Sequence, residues 1–125
     1  MARLARRSLG QAGEEAAVRH LEAQGYRILA RNFRRAFAEL DIVAQKEGLL
    51  VFAEVKARSS SRFGSPAEAV TPAKQRRLSK IALDYMMQAG LGECAARFDV
   101  LSVLLDSRGL VLGIEQIENA FDAVL

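Results

Sequence analysis

Two apolar segments carry charges at alternate positions, and this pattern limits the fold more than any other. Phe37-Ala38-Glu39-Leu40-Asp41-Ile42-Val43 precedes Phe52-Ala53-Glu54-Val55-Lys56, with Lys46-Glu47-Gly48-Leu49 between them. Alternation is the period of a β-strand, and Glu-Gly suits a tight hairpin turn. With Glu47-Gly48 as a two-residue loop, Lys46 faces Leu49, Asp41 faces Glu54 and Glu39 faces Lys56. Side chains two apart share a face, so all four polar groups are expected on one side of the hairpin. Directly opposed side chains have Cβ atoms roughly 5 Å apart. Carboxylates that close repel unless a proton or cation lies between them, and oxygen ligands suit a hard ion such as magnesium. A three-residue loop with a bulge would shift these pairs. Two readings therefore fit: half of a metal site with a lysine beside it, or a solvated face of ordinary cross-strand ion pairs.

A chain of 125 residues with half of them apolar predicts one domain, 1–125, with a proper core. No stretch approaches the ~20 apolar residues of a membrane span. Residues 1–9 read as a flexible basic arm, because Met1-Ala2-Arg3-Leu4-Ala5-Arg6-Arg7-Ser8 lacks the apolar run of a signal peptide. A single cysteine, Cys94, excludes an internal disulfide and points to the cytoplasm. One cysteine and one histidine argue against a zinc site within the chain. Charge is unevenly spread. Residues 1–80 hold 16 Lys/Arg against 8 Asp/Glu, whereas residues 81–125 hold 2 against 7. That split, rich in arginine, favours a polyanion partner over a set of unrelated solvated faces.

Residues 10–24 read as a helix ended by Gly25, with Ala17, Val18 and Leu21 on its buried stripe. Glu14 lies on the same stripe. A capping or helix-dipole contact explains an acid there, and so does a reach over the sheet toward the hairpin acids. Tyr26 to Arg31 reads as a strand and Asn32 to Ala36 as a basic turn containing Arg34 and Arg35. The ladder strands follow at about 37–45 and 49–57. Arg58 to Pro66 is a Ser-rich loop that includes Arg62.

Thr71-Pro72 is a helix start, with Thr as cap and Pro in the first turn. This helix runs to about Gln88 and buries Leu78, Ile81, Ala82 and Tyr85, while Lys74 and Gln75 lean toward the sheet. Lys74, Arg76, Arg77 and Lys80 place cations where the helix dipole prefers anions, a conflict that a bound phosphate would relieve. A basic solvated face that tolerates a small cost fits as well. Arg97 to Asp106 and Leu110 to Glu118 read as a second hairpin, and Asn119 to Leu125 as a last helical turn. The order helix, three strands, helix, two strands predicts an α/β architecture with a mixed five-stranded sheet flanked by helices.

A helix bearing Glu14, a strand bearing Asp41 and a following strand bearing Glu54-Val55-Lys56 together resemble the restriction-endonuclease-like nuclease superfamily. The arrangement is similar to archaeal Holliday-junction resolvases. It most resembles the YraN-like family of bacterial proteins within that superfamily, through Gly13-Glu14-Glu15-Ala16-Ala17, Gly25 to Asn32, Glu39 to Val43, Val51 to Arg58 and Arg97-Phe98-Asp99-Val100. Where that family usually has Gly, this chain has Ala38, which leaves the acids intact.

The resemblance implies a nuclease fold and a magnesium- or manganese-dependent endonuclease acting on DNA, branched or damaged DNA included. The alternative is a non-catalytic nucleic-acid-binding module of the same fold. In the nuclease reading Asp41 and Glu54 hold the metal with the Val55 carbonyl, and Glu14 assists through a water or by holding a second ion. Lys56 orients the attacking water or stabilises the charge developing on the phosphate, and Gln75 or Lys74 holds the scissile phosphate or orients Lys56. Arg34, Arg35, Arg58, Arg62, Arg76 and Arg77 grip neighbouring phosphates. A homodimer formed through the apolar C-terminal strands would suit a junction-cutting enzyme. His20 reads as a rim histidine, Cys94 as a small buried or loop thiol, and Met86 and Met87 as packing residues. Asp99 reads equally as a structural ion-pair partner and as an accessory ligand.

Overall fold

In the computed structural model, which describes residues 6–59 and 70–124, the chain runs α1 (Arg6–Ala23), β1 (Arg27–Arg35), β2 (Ala38–Lys46), β3 (Leu49–Arg58), α2 (Pro72–Gln88), β4 (Ala95–Leu105) and β5 (Val111–Phe121). The strands form one sheet in sequence order. Every neighbouring pair is antiparallel except β3 and β4, which α2 connects as a parallel pair. This is the mixed five-stranded α/β sheet that the element order predicts. Among the described residues no helix is long and apolar enough to cross a membrane.

The helices cover opposite faces of the sheet. Ala17, Val18 and Leu21 of α1 pack on Ile42, Ala44, Val51, Ala53, Leu101, Val103 and Leu105. Leu78, Ile81, Ala82 and Tyr85 of α2 pack on Val43, Leu50, Phe52, Phe98 and Val100. Strand residues thus alternate between two cores, and β4 is apolar on both faces because both are covered. Leu21, Ile42, Leu50, Ile81 and Leu101 are fully buried, and each is worth roughly 1.5–3 kcal/mol by area removed from water. The expected stripes of both helices are the ones buried, and Met86 packs against the α2 core. Met87 instead is 68% exposed and packs on nothing of that kind.

Glu47 and Gly48 both have positive φ, 51° and 80°, as a two-residue primed turn requires. Lys46 therefore pairs with Leu49, and the expected register holds through Ile42 and Ala53. There the β2–β3 ladder ends. Leu40 and Val43 both pack on the α2 core although they are three positions apart, so alternation breaks between them, around Asp41. The four charges expected on one face are consequently not aligned. Glu39 does not pair with Lys56. It lies opposite Arg34 across the β1–β2 ladder and forms an ion pair with it.

Three boundaries differ from the sequence reading. Helix α1 begins at Arg6, which leaves only residues 1–5 of the expected arm, and those lie outside the described residues. The Asn32–Ala36 segment is not a turn: β1 continues to Arg35, with a register shift after Ile28 and Asn32 at φ 53°, and the turn is Ala36-Phe37. The C-terminal residues continue β5 to Phe121 rather than forming a helical turn, because Phe121 stacks on Phe98 with ring centroids 4.6 Å apart. At the other end of β5, Leu110, Val111 and Leu112 are exposed beside the outer edge of the sheet.

Asp99 fixes how β4 and β5 meet. It is fully buried, and four donors serve its carboxylate: Arg97 Nε at 2.9 Å, Arg97 Nη2 at 3.1 Å, Gln116 Nε2 at 2.9 Å and the Asn119 N–H at 3.0 Å. Arg97 also donates to the Tyr26 hydroxyl at 2.9 Å, tying the network to the start of β1. Asp99 is therefore a structural ion-pair partner. Asp99→Ala would leave Arg97, Gln116 and the Asn119 N–H without their acceptor, and a loss of about 3 kcal/mol or more is expected in urea unfolding. A loss below about 1 kcal/mol would show that the network does not hold the strands.

Candidate metal and phosphate site

The site forms where β2 and β3 part. Past the last ladder pair, the Asp41 carboxylate takes the place of a main-chain partner and accepts the Val55 N–H at 2.8 Å. Asp41, Val55, Lys56 and Arg58 line a cleft of about 490 Å³, with Glu14, Leu9 and Gly10 of α1 forming its other wall. Glu14 is eight residues into α1, so it caps nothing; it reaches the hairpin acids. Gly13 makes that approach possible. A Cβ at Gly13 would lie 2.6 Å from the Ala57 Cβ, so only glycine lets α1 sit this close to β3.

Glu54 enters from the α2 side. Its side chain is 8% exposed, and Lys74 Nζ, from the first turn of α2, lies 3.0 Å from Oε2. Thr71 positions that turn, its hydroxyl accepting the Lys74 N–H at 3.2 Å. Lys74 approaches off the hydrogen-bonding direction, so Glu54 Oε2 is buried with a charge beside it and no directed donor. Gln75 is turned elsewhere: its amide donates to the Val70 carbonyl at 2.9 Å and braces the segment before α2.

The electrostatics follow from this crowding. Burial, then the hydrogen bond and repulsion from Glu54, push the Asp41 carboxyl up to about 9, against the opposing Val55 N–H. Burial also works against the Glu54 charge, but the hydrogen bond from Asp41 and the ammonium groups of Lys74 and Lys56 hold its pKa below the ordinary value. The two carboxyls are thus driven apart, Asp41 up and Glu54 down. Burial lowers the Lys56 pKa, and the neighbouring Lys74 lowers it further. Lys74 moves the other way, because its contacts with Lys56 and Glu54 outweigh its burial.

Among the described residues, no three His, Cys, Asp or Glu side chains form a ready-made metal cage. The donor set nonetheless fits magnesium, which commonly takes one or two carboxylates and keeps several waters. Burial and Glu54 push the Asp41 carboxyl up, and Glu54 Oε2 is a buried oxygen without a directed donor. Asp41, Glu54 and Val55 could hold such an ion, and Glu14 lines the same cleft as Asp41 and Val55.

The basic residues divide. Arg58 lines the cleft, and Arg76 and Arg77 are exposed on the first half of α2. Arg34 and Arg35 are not brought to the site. Arg34 pairs with Glu39, and Arg35 donates to Asp84 at 2.7 Å and to Gln88 at 2.6 Å near the other end of α2. Ten residues of helix separate Asp84 from Lys74, roughly 15 Å. Arg62 lies outside the described residues. His20 is a rim residue within reach of Gln116 and Gln24, and the Cys94 thiol donates to the Gly48 carbonyl. The Lys74–Glu54 contact and the Gly13–Ala57 approach escape the sequence reading. Lys74's place on the sheet-facing stripe was the one available sign of the first.

A raised Asp41 pKa means that the folded state holds a proton that the unfolded chain releases, so this group makes stability fall as pH rises from 3.8 toward about 9. Glu54, with its pKa lowered, acts in the opposite sense and only below 4.5. Asp41→Asn removes the first effect. Its Tm is therefore expected to gain on wild type as pH is raised from about 5 to about 9. A constant difference in melting curves across that range would mean that Asp41 is ionised in the fold.

The family model of the uncharacterised protein family UPF0102 matches residues 13–103, which include every acid and lysine of this site. A UPF0102 protein of Myxococcus xanthus is 48% identical over 118 residues, covering 94% of this chain and 92% of its own length. One from Symbiobacterium thermophilum is 49% identical over 117 residues, covering 94% and 98%. One from Pelobacter propionicus is 50% identical over 118 residues, covering 93% and 84%. With a match of this extent spanning α1 to β4, the chain belongs to the UPF0102 family, the YraN-like group that its Glu-x-Asp and Glu-x-Lys segments resemble.

Proposed function

We propose that the protein is a metal-dependent nuclease that hydrolyses phosphodiester bonds in DNA. One observation carries this reading: the half-buried Asp41, in a cleft that Lys56 and Glu14 also line, adjoins the buried Glu54 carboxylate. A fold gains nothing in stability from under-satisfied acids beside one another, so such a pair marks a functional site.

A magnesium or manganese ion held by Asp41 and Glu54, with the Val55 carbonyl and waters, would polarise a phosphodiester oxygen and acidify a bound water. The chain's own groups do the remaining work. Asp41 must lose its proton for the site to load, and the Val55 N–H holds its carboxylate in place meanwhile. Lys56 projects into the cleft, where its amine orients the attacking water or meets the charge developing on the phosphate. Glu14, on the opposite wall, is placed to hold a second water. Arg58 in the cleft, with Arg76 and Arg77 on α2, would grip flanking phosphates, contacts that position the strand without reading its sequence. One observation favours the second reading, a non-catalytic nucleic-acid-binding module: Lys74 already neutralises Glu54, so the site is charge-balanced without a metal.

Cleavage of labelled duplex, single-stranded, flap, fork and four-way-junction DNA, with magnesium or manganese, separates the two. Wild type is expected to cut and Asp41→Asn and Glu54→Gln to lose at least about a hundredfold in rate, as removal of a principal charge-stabilising group does. Both variants should bind DNA as well as wild type or better. Cutting at equal rates by wild type and both variants would eliminate the assignment, and salt-sensitive binding without cutting would select the binding module. DNA affinity should also fall by at least about tenfold between about 50 and 200 mM salt through counterion release, a drop that a flat titration would contradict.

A further inference from the structure

We propose that Lys74 is a built-in counter-ion for Glu54, and that its ammonium and a divalent ion exclude one another from that carboxylate. The inference rests on the metal-site reading above and adds a residue that sets the affinity of the site.

Lys74 Nζ is 3.0 Å from Glu54 Oε2, a buried oxygen without a directed donor. A divalent ion seeking that buried oxygen meets a positive charge already beside it, and like charges a few ångströms apart repel strongly in a site screened from water. The two partners differ in mobility. Glu54 is 8% exposed and sits within β3, walled by the core, whereas Lys74 is 31% exposed at the start of a helix. Lysine carries its charge on a flexible four-carbon stem, so Lys74 is the partner that moves.

Its seat is also contested. Lys74 lies in the first turn of α2, and a helix N-terminus disfavours cations. Lys74 is held there by Glu54, and a divalent ion that takes Glu54 removes the reason for it to stay. The displaced ammonium then lies at a helix start beside exposed Arg76 and Arg77, where a phosphate would be received. Lys74 is on this account a positioning residue. It balances the Glu54 charge before the ion arrives, and it weakens binding of that ion.

The test is a Mn2+ titration of the intact chain without nucleic acid, following free Mn2+ by its paramagnetic resonance signal. Wild type is compared with Lys74→Met, which keeps the stem, and Lys74→Gln, which keeps a polar end should the first fail to fold. Both variants are expected to bind Mn2+ at least about tenfold more tightly than wild type, although removing a purely structural contact would leave affinity unchanged or lower it. Mn2+ binding by wild type with equal or weaker binding by the variants would overturn the counter-ion role and leave the metal reading intact. No Mn2+ binding by any of the three proteins would overturn both.

Discussion

The structure turns on the point where β2 and β3 stop pairing. After Ile42 and Ala53 the ladder ends, and the Asp41 side chain, not its backbone, takes the Val55 N–H. A main-chain donor is satisfied and the sheet survives, but its two strands are left apart with an acid in the gap. The neighbouring elements answer that gap from both faces. Helix α1 closes over it through Gly13 and brings Glu14, while α2 begins beside it and brings Lys74. The site is thus assembled from both sides of the sheet.

A second buried acid shows what the first lacks. Asp99 is as deeply buried as any residue in the chain, and four donors serve its two oxygens. That is how a fold stabilises a buried carboxylate for its own sake. Asp41 and Glu54 are treated differently, with two acids competing for one proton and one oxygen left without a directed donor. The contrast lies within one sheet, so it reflects the local arrangement rather than burial itself. Asp99 is buried with its oxygens fully served, whereas Glu54 Oε2 is buried with an ammonium beside it and no directed donor.

The positive charge of the N-terminal two thirds is put to two uses. Part of it is internal: Arg31 pairs with Glu15, Arg34 with Glu39 and Arg35 with Asp84, fastening β1 to the helices and to β2. Such pairs are partly exposed and individually weak. A second group, Arg58, Arg76 and Arg77 with Lys56 and Lys74, gathers near the cleft and the start of α2. A count of basic residues does not separate these uses, because pairing depends on which carboxylates the fold brings near.

Local pattern was enough for much of this protein. The Glu47-Gly48 turn sets the hairpin register, the apolar stripes of both helices name their buried faces, and Thr71-Pro72 marks the start of α2. Each depends on neighbours a few residues apart, where turn geometry and periodicity act directly. The acids were legible for the same reason, as polar residues in otherwise apolar strands. Only the tertiary structure decided how they meet. The register that pairs Asp41 with Glu54 on paper ends one position short of them, and there the Asp41 carboxylate takes the Val55 N–H. The length of β1, the Arg34–Glu39 pair, the extension of β5 by Phe121 stacking and the seat of Lys74 against Glu54 all arise from contacts between distant segments. Sequence spacing carries a residue's own preference for helix, strand or turn. Where a charge finds its partner is determined by which surfaces the packed layers bring together.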